Sequence, residues 1–350
     1  MRAWRSFFAA CFVMAMLVSG AYGDVALTPE NFPDDTFRFY LLGRFDANGD
    51  GVLSDTEIEA ITSMNCSGSI RSLKGIEYFI NLKRLWCQDL RLTSLDVSHN
   101  TALTELYCYL NQLTTLDVNH NTALTELGCL GNQLTTLDVS NNTALTYLNC
   151  GYNQLTELDV SHNTALETLY CDKNQLTELD VSHNTALTEL SCGGNQLTEL
   201  DVSHNTALTE LQCNNNQLTE LDVSKNPALE TLSCYSNQLT ELDVSNNTAL
   251  TGLWCHENQL TELDLSNNTA LKALPYSPQT VYGLKDGIDI NLVDMYSTVS
   301  GTIRDGRVVS LIHKYLRAGV MTGHKFEETE QGVPQGGPLS PILSNIMLTE

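Results

Sequence analysis

Residues 187–208 have the sequence LTELSCGGNQLTELDVSHNTAL and contain one complete unit of a repeat that extends through most of the chain. In the first half of the unit, the apolar residues Leu187, Leu190 and Cys192 return at short, regular intervals between polar ones. Ten of the eleven cysteines recur every 21 residues, and only Cys11 is out of register. The ten are Cys66, Cys87, Cys108, Cys129, Cys150, Cys171, Cys192, Cys213, Cys234 and Cys255. Such a period indicates units that stack and bury a shared core.

The leucine spacing within the unit predicts a leucine-rich-repeat solenoid, because periods of about 20 to 29 residues with recurrent leucine are typical of that fold. Residues 187–197 predict a strand on the concave side, and residues 200–205 predict the return path. We therefore expect an α/β-type solenoid, a leucine-rich-repeat horseshoe with parallel concave strands. It should occupy residues 66–275 in about nine to ten repeats.

Polar residues also recur at the repeat period. One asparagine series should satisfy backbone groups where each strand turns away, and a second should do so on the return path. The first comprises Asn111, Asn132, Asn153, Asn174, Asn195, Asn216, Asn237 and Asn258, and the second extends from Asn100 to Asn268. An aspartate series, from Asp96 to Asp264, supplies either turn-forming carboxylates or a stripe that attracts calcium. We favour turns, because aspartate commonly bonds nearby amides.

The cysteine series predicts reduced, buried thiols. Neighbouring coils lie about 4.8 Å apart, but equivalent Cβ vectors run parallel. This disfavours disulfides, although an even set of ten cysteines remains after signal removal. Zinc is disfavoured because the series contains no short Cys-x₂-Cys spacing.

Residues 46–57 match a twelve-residue EF-hand calcium loop, and the rival interpretation is an acidic turn rich in aspartate and asparagine. Calcium prefers six to eight oxygen ligands. The predicted ligands are the side chains of Asp46, Asn48 and Asp50, the Val52 carbonyl, Ser54 through water, and Glu57 in bidentate fashion. Residues 34–45 and 55–64 are predicted to be flanking helices. Because no partner loop is visible, we expect one structural Ca²⁺ that stabilises an N-terminal cap over residues 24–65.

The residues beside each cysteine vary between repeats, whereas the leucines and asparagines barely change. These variable positions should project from the concave face, and aromatic side chains there are typical of recognition surfaces. The candidate partner-binding residues are Trp86, Tyr107, Tyr109, Tyr147, Tyr152, Tyr170, Tyr235, Trp254 and His256. The alternative interpretation is that these positions vary by sequence drift because they face solvent and bind nothing. If they do bind a partner, it is either a protein or a glycan.

Several function classes are disfavoured. The net charge of −24 argues against a nucleic-acid grip by the solenoid. His99, His120, His162, His183 and His204 share one repeat position that asparagine or lysine fills elsewhere, so we interpret them as surface residues. No nucleophile–base arrangement stands out, and we expect a monomer without catalytic activity.

Residues 1–23 are predicted to be a signal peptide, with Arg2 and Arg5 before an apolar stretch and small residues before Asp24. No run of 18 apolar residues follows, so no membrane span is expected after signal removal. The sequence therefore predicts a secreted or cell-surface protein. The predicted repeats end at residue 275, and their pattern is absent from about Thr302 onward. Residues 276–302 are therefore assigned to a post-repeat flank.

Over residues 30–298 the chain resembles the bacterial leucine-rich repeats with a cysteine ladder found in some internalins. The resemblance implies an extracellular, adhesin-like binding surface. Residues 303–350, with the string GVPQGGPLSP at 332–341, resemble a fragment of a group II intron reverse transcriptase or maturase. That resemblance implies that Pro334, Gln335 and Gly336 are remnants of a nucleotide-binding loop. The alternative function is therefore a truncated RNA-directed DNA polymerase, expected to be inactive because the aspartates that hold two metal ions are missing.

Overall fold

The computed structural model describes residues 23–273 and four two-residue strands, Val281–Tyr282 (β14), Asp289–Ile290 (β15), Met321–Thr322 (β16) and Lys325–Phe326 (β17). The predicted signal peptide up to residue 22 lies outside the described residues. So do the predicted flank and the reverse-transcriptase-like fragment apart from these strands, including Pro334, Gln335 and Gly336. The chain divides into two units, residues 1–200 and 201–350.

The first unit begins with a small cap. Its elements are β1 (Val25–Ala26), α1 (Asp35–Arg44), β2 (Val52–Leu53) and α2 (Asp55–Ala60). Asp34 caps α1 by accepting the amide of Phe37 at 2.9 Å. Ser54 and Glu57 form a capping box at the start of α2. Both helices pack through apolar side chains, which explains the helix–loop–helix arrangement predicted from the sequence.

The second predicted helix is shorter than expected, and its extension to residue 64 was wrong. Helix α2 ends at Ala60, and Ser63–Asn65 form β3, which pairs in parallel with the next strand so that Met64 lies opposite Leu85. Met64 is fully buried there. Tertiary pairing and burial therefore override local helix propensity, and the strand stack begins before residue 66.

Seven strands of the first unit form a parallel sheet in chain order. After β3 and a short 3₁₀ helix (Ile76–Tyr78) come β4 (Arg84–Trp86), β5 (Glu105–Tyr107), β6 (Glu126–Gly128), β7 (Tyr147–Asn149), β8 (Thr168–Tyr170) and β9 (Glu189–Ser191). Each strand pairs with residues 21 positions along, so Leu85 lies opposite Leu106 and Leu127 opposite Leu148. These leucines and the cysteines that follow them are buried, which makes a continuous core.

The return path of each coil in the first unit consists of turns. The Asn121 amide donates to the Val118 carbonyl at 2.9 Å, and the Leu124 amide donates to Asn121 at 3.1 Å. A coil of 21 residues leaves too few residues for an α-helix beside the strand. Among the described residues of the first unit, the α-helices are therefore those of the cap, while the parallel leucine-rich-repeat solenoid itself is confirmed.

Both asparagine series bond backbone groups as predicted. Asn111 accepts the amide of Leu92 at 3.0 Å and donates to the carbonyls of Cys87 and Cys108 at 2.8 and 3.0 Å. Asn121, on the return path, donates to the carbonyls of two residues at 2.9 Å. These side chains link consecutive coils, so they satisfy backbone groups that strand pairing leaves open.

The aspartate series forms local turns. The Oδ1 atom of Asp159 accepts the amide of Ser161 at 2.8 Å, and the same bond recurs at Asp138 with Ser140 at 3.0 Å. Serine hydrogen bonds lower the pKa of both carboxyl groups. The favoured turn interpretation is therefore what the geometry shows.

The second unit continues the same pattern. Its strands β10 (Glu210–Gln212), β11 (Thr231–Ser233), β12 (Gly252–Trp254) and β14 pair in parallel in that order. Strand β13 (Glu262–Leu263) pairs with β15, α3 covers Thr269–Ala273, and β16 pairs antiparallel with β17. Within the described part of the chain, no helix is both long enough and apolar enough to cross a membrane.

Candidate functional site

The strands of the first unit present alternate residues to solvent. Because side chains alternate along a strand, the central leucine and the following cysteine point into the core while their neighbours face outward. Tyr107, Tyr109, Tyr147 and Tyr170 are all partly exposed on this face. We call these four residues the tyrosine cluster.

The rings of the tyrosine cluster contact one another across the four consecutive coils of β5 to β8, of which the coil of β6 contributes no ring. Tyr107 lies 5.4 Å from Tyr109 and 6.4 Å from Tyr147, measured between ring centroids. Tyr147 lies 6.0 Å from Tyr170, with the two ring planes at 89°. Tilted and edge-to-face arrangements of this kind are the favourable ones for aromatic pairs. The structure thus brings together four of the six aromatic residues that the sequence predicted for the N-terminal patch.

Hydrogen bonds hold the hydroxyl groups of the cluster in place. The Tyr107 hydroxyl donates to the Glu126 carboxylate, and the Tyr170 hydroxyl donates to Glu189. The hydroxyls of Tyr109 and Tyr147 lie 3.2 Å apart. Burial, followed by these bonds, raises the pKa of Tyr107 and of Tyr109 well above the ordinary value, so both phenols stay neutral. The hydroxyl ends of the four rings are therefore held by hydrogen bonds within the chain.

Gly128, beneath the cluster, leaves the space that the Tyr109 ring occupies. A Cβ atom at Gly128 would overlap the ring of Tyr109, which lies directly over this residue on the adjacent coil. The Tyr109 ring can occupy its place only because residue 128 lacks a side chain.

Other predicted residues lie outside these ring contacts. The Arg84 guanidinium lies over the Trp86 ring, 5.8 Å from its centroid. Tyr152 occupies the turn after its strand, with φ of 52° and 56% of its surface exposed.

The second unit carries the remaining predicted aromatic residues. Tyr235 and His256 stack with centroids 4.5 Å apart and planes only 4° from parallel. The Trp254 ring covers Gly252 of its own strand.

Glu126 and Glu189 are part of the face but were not predicted. The prediction collected aromatic residues and one histidine on this face. At the repeat position three residues before each cysteine it therefore included Tyr147 but not the glutamates. Strand alternation was the signal that could have found them, because residues two apart share one face.

The predicted calcium loop folds around its own side chains. The two carboxylate oxygens of Asp46 accept the amides of Gly49 at 2.7 Å and Gly51 at 2.8 Å, and both glycines have positive φ. Asn48 Oδ1 accepts the Asp50 amide at 3.0 Å, and Asp50 Oδ1 accepts the amide two residues further on at 2.9 Å.

Glu57 closes the loop. Its Oε1 accepts the Ala47 amide at 2.7 Å, and its Oε2 accepts the amide and the hydroxyl of Ser54, each at 2.8 Å. These bonds, led by the Ser54 amide, lower the pKa of Glu57, which therefore remains ionised. Strand β2, which contains Val52, pairs antiparallel with β1, so Val52 lies opposite Ala26. Strand pairing thus joins the end of the predicted calcium loop to β1.

The carboxylates of this loop are not preassembled as a metal cluster. Among the described residues, no group of three or more His, Cys, Asp or Glu side chains is placed to hold a metal ion. The donor set nevertheless fits a hard cation, because all its atoms are oxygens and one carboxylate, Asp46, is buried.

The repeats have known counterparts. A family model for leucine-rich repeats in two copies matches residues 185–226. The solved functional domain of InlJ from Listeria monocytogenes, which includes a cysteine ladder, is 41% identical, with a TM-score of 0.61. That similarity covers 71% of this chain and 60% of the InlJ domain. The repeats are thus similar to leucine-rich repeats, and the solenoid is similar to the cysteine-ladder domain of InlJ. A leucine-rich-repeat protein of Leptospira interrogans is 26% identical with a TM-score of 0.55, covering 63% of this chain and 58% of that one.

Sequence relatives match only short stretches. Internalin J of Listeria monocytogenes is 46% identical over 71 residues, which are 20% of this chain and 8% of internalin J. The group II intron-encoded protein LtrA of Lactococcus lactis is 39% identical over 70 residues, 20% of this chain and 11% of LtrA. The chain thus spans only a small fraction of these curated relatives, and the resemblance to intron proteins is confirmed only as a short partial match.

Proposed function

We propose that the protein is an extracellular, non-catalytic binding protein that recognises a protein partner through the exposed strand face of its first unit. The tyrosine cluster is the observation that supports this proposal most directly. The interior of the repeats is nearly invariant because it packs, whereas the exposed positions differ from coil to coil and collect aromatic residues. Secretion is supported by the predicted signal peptide and by the similarity to internalin J.

The cluster has the properties of a binding anchor. Tyrosine offers a large contact area with few rotatable bonds, and aromatic residues dominate the energetics of many interfaces. Here the hydroxyls already have partners, so little side-chain entropy remains to be lost when a partner binds. A protein is favoured over a glycan because neighbouring ring planes are inclined by 47° to 89° to one another and leave no broad flat platform for a sugar.

The calcium loop is proposed as a structural site within the cap. Asp46, Asn48, Asp50 and Glu57, with the Val52 carbonyl, would supply the ligands directly, and Ser54 would act through water. A bound Ca²⁺ would neutralise carboxylates that now bond only amides and hydroxyls of the loop. Because β2 joins the loop to β1, the ion would also hold the start of the described chain against the cap.

A reverse transcriptase is not favoured. The match to LtrA covers only 11% of that protein, whereas the internalin-like similarity covers 71% of this chain.

The binding proposal is tested with the full-length chain against a panel of extracellular proteins and a glycan array. Saturable binding to a protein is expected, with loss on Tyr147→Ala. The matched control is His162→Ala, on the exposed return path, which should bind normally. Equal binding by the wild-type chain and Tyr147→Ala would show that the cluster is not the site.

A further inference from the structure

We infer that the tyrosine cluster and its neighbouring carboxylates bind a cationic side chain, arginine or lysine, presented by a basic segment of the protein partner. The inference rests on the proposed binding face and specifies the chemistry of what that face recognises.

The charge of the face is the first support. In each of the five coils of β5 to β9, three positions face outward: the third residue before the cysteine, the residue directly before it and the residue directly after it. They carry four carboxylates, Glu105, Glu126, Asp172 and Glu189, and these fifteen positions contain no lysine, arginine or histidine. Lys173 lies just beyond them on a turn, where its side chain covers Gly194 of the next coil. A basic partner segment is therefore complementary in sign to this part of the first unit.

The arrangement of the rings is the second support. A ring face is negative and its edge is positive, so cations are attracted to faces. The rings of Tyr107, Tyr109 and Tyr147 are tilted 47° and 57° to one another, and hence their faces point in several directions rather than into a single stack. Two of the cluster hydroxyls donate to glutamates, which places full negative charges at the margin of the same rings.

The chain already contains this type of contact beside the cluster. On the neighbouring strand β4, the Arg84 guanidinium lies over the Trp86 ring. Strand register places Arg84 opposite Glu105 and Trp86 opposite Tyr107. A partner arginine over the tyrosine cluster would repeat the same pairing of a guanidinium with a ring and a carboxylate on the adjoining coils.

The test uses the full-length chain and a fluorescent hexa-arginine peptide, with binding followed by fluorescence anisotropy at about 0.15 M salt. Saturable binding is expected, with at least a fivefold loss of affinity on Glu126→Gln. Glutamine can still accept the Tyr107 hydrogen bond, so this variant removes charge while keeping the geometry. Asp159→Asn is the matched control, because it removes one charge from the exposed return path of the same unit and should change affinity less than twofold.

A second pair of variants tests the rings. Tyr147→Phe keeps the aromatic face and should retain most of the affinity, whereas Tyr147→Leu should lose about fivefold or more. Far-ultraviolet circular dichroism of each variant establishes that it is folded.

Three results would overturn the inference. The first is an equal loss of hexa-arginine affinity for Glu126→Gln and Asp159→Asn, which would mean general attraction to an acidic protein. The second is equal affinity for Tyr147→Phe and Tyr147→Leu. The third is no saturable binding of hexa-arginine at all. If Tyr147→Leu loses binding to a protein partner or a glycan but keeps hexa-arginine binding, the face is a binding site and the cationic assignment is wrong. If hexa-arginine binds as expected while no cluster variant alters partner binding, the proposed function fails instead.

Discussion

Replacing Asn153 by alanine tests how much the asparagine series contributes to holding the coils together. Its Oδ1 accepts the Leu134 amide at 3.0 Å, and its Nδ2 donates to the carbonyls of Cys129, Cys150 and Gly151 at 3.1, 3.0 and 3.1 Å. Alanine removes all four bonds from a buried position at the centre of the first unit.

The loss of stability depends on which backbone groups lose their only hydrogen-bond partner. Cys129 also receives a bond from Asn132 at 2.9 Å, and Cys150 receives one from Asn174 at 3.1 Å. The Gly151 carbonyl keeps the Gly131 amide at 3.0 Å. The Leu134 amide is therefore the one group that loses the partner described for it. An orphaned buried amide costs about 1–3 kcal/mol, and the shared bonds that are lost add about 1 kcal/mol more. We expect the free energy of unfolding to fall by about 2–4 kcal/mol.

Urea unfolding followed by far-ultraviolet circular dichroism measures this change. The matched control is Asn141→Ala, because Asn141 is exposed and donates one side-chain bond, to Asn119 at 3.3 Å. That variant should change the free energy of unfolding by less than about 0.5 kcal/mol. If Asn153→Ala unfolds at the same urea concentration as Asn141→Ala, the buried asparagines do not stabilise the stack and the reasoning is refuted.

Three further predictions concern the cap, the cluster and the core. Chelation of calcium should lower the melting temperature of the wild-type chain and of the exposed-site control Glu59→Gln, but not that of Glu57→Gln; equal responses of all three would remove the proposed site. Gly128→Ala should displace the Tyr109 ring and change the near-ultraviolet circular dichroism of tyrosine, whereas Gly43→Ala, which has open space around it, should leave the spectrum unchanged. Burial raises the pKa of the Cys150 thiol from 9.0 to about 12, so the neutral thiol favours the folded state. The free energy of unfolding should therefore decrease as pH rises from about 9 towards 12, and a Cys150→Ala variant should lose less stability over that range. Identical pH profiles for the two chains would contradict this.

The interior of the fold could be predicted because it depends on short-range patterns repeated at one period. Leucine and cysteine alternate with polar residues within each strand, and a 21-residue period brings equivalent side chains side by side on adjacent coils. Cys66, Cys87, Cys108, Cys129, Cys150 and Cys171 carry buried free thiols in the structure. The asparagine and aspartate bonds were equally predictable, since each joins groups whose separation is set by one coil or by a two-residue turn.

The sequence by itself therefore determined the stack, its strands, its buried ladders and the outward direction of the variable residues. Only the tertiary structure decided that Met64 belongs to a strand, because pairing with the next coil and burial outweighed local helix propensity. It also decided that β1 pairs with the strand at the end of the predicted calcium loop, since nothing near Val25 in sequence indicates its partner. Finally, it selected four tyrosines as a cluster, because their contacts depend on which residue lies on the adjoining coil: Tyr109 needs Gly128 beneath it, and Tyr107 needs Glu126 beside it. Such contacts depend on side-chain shape across coils, which spacing along one chain does not encode.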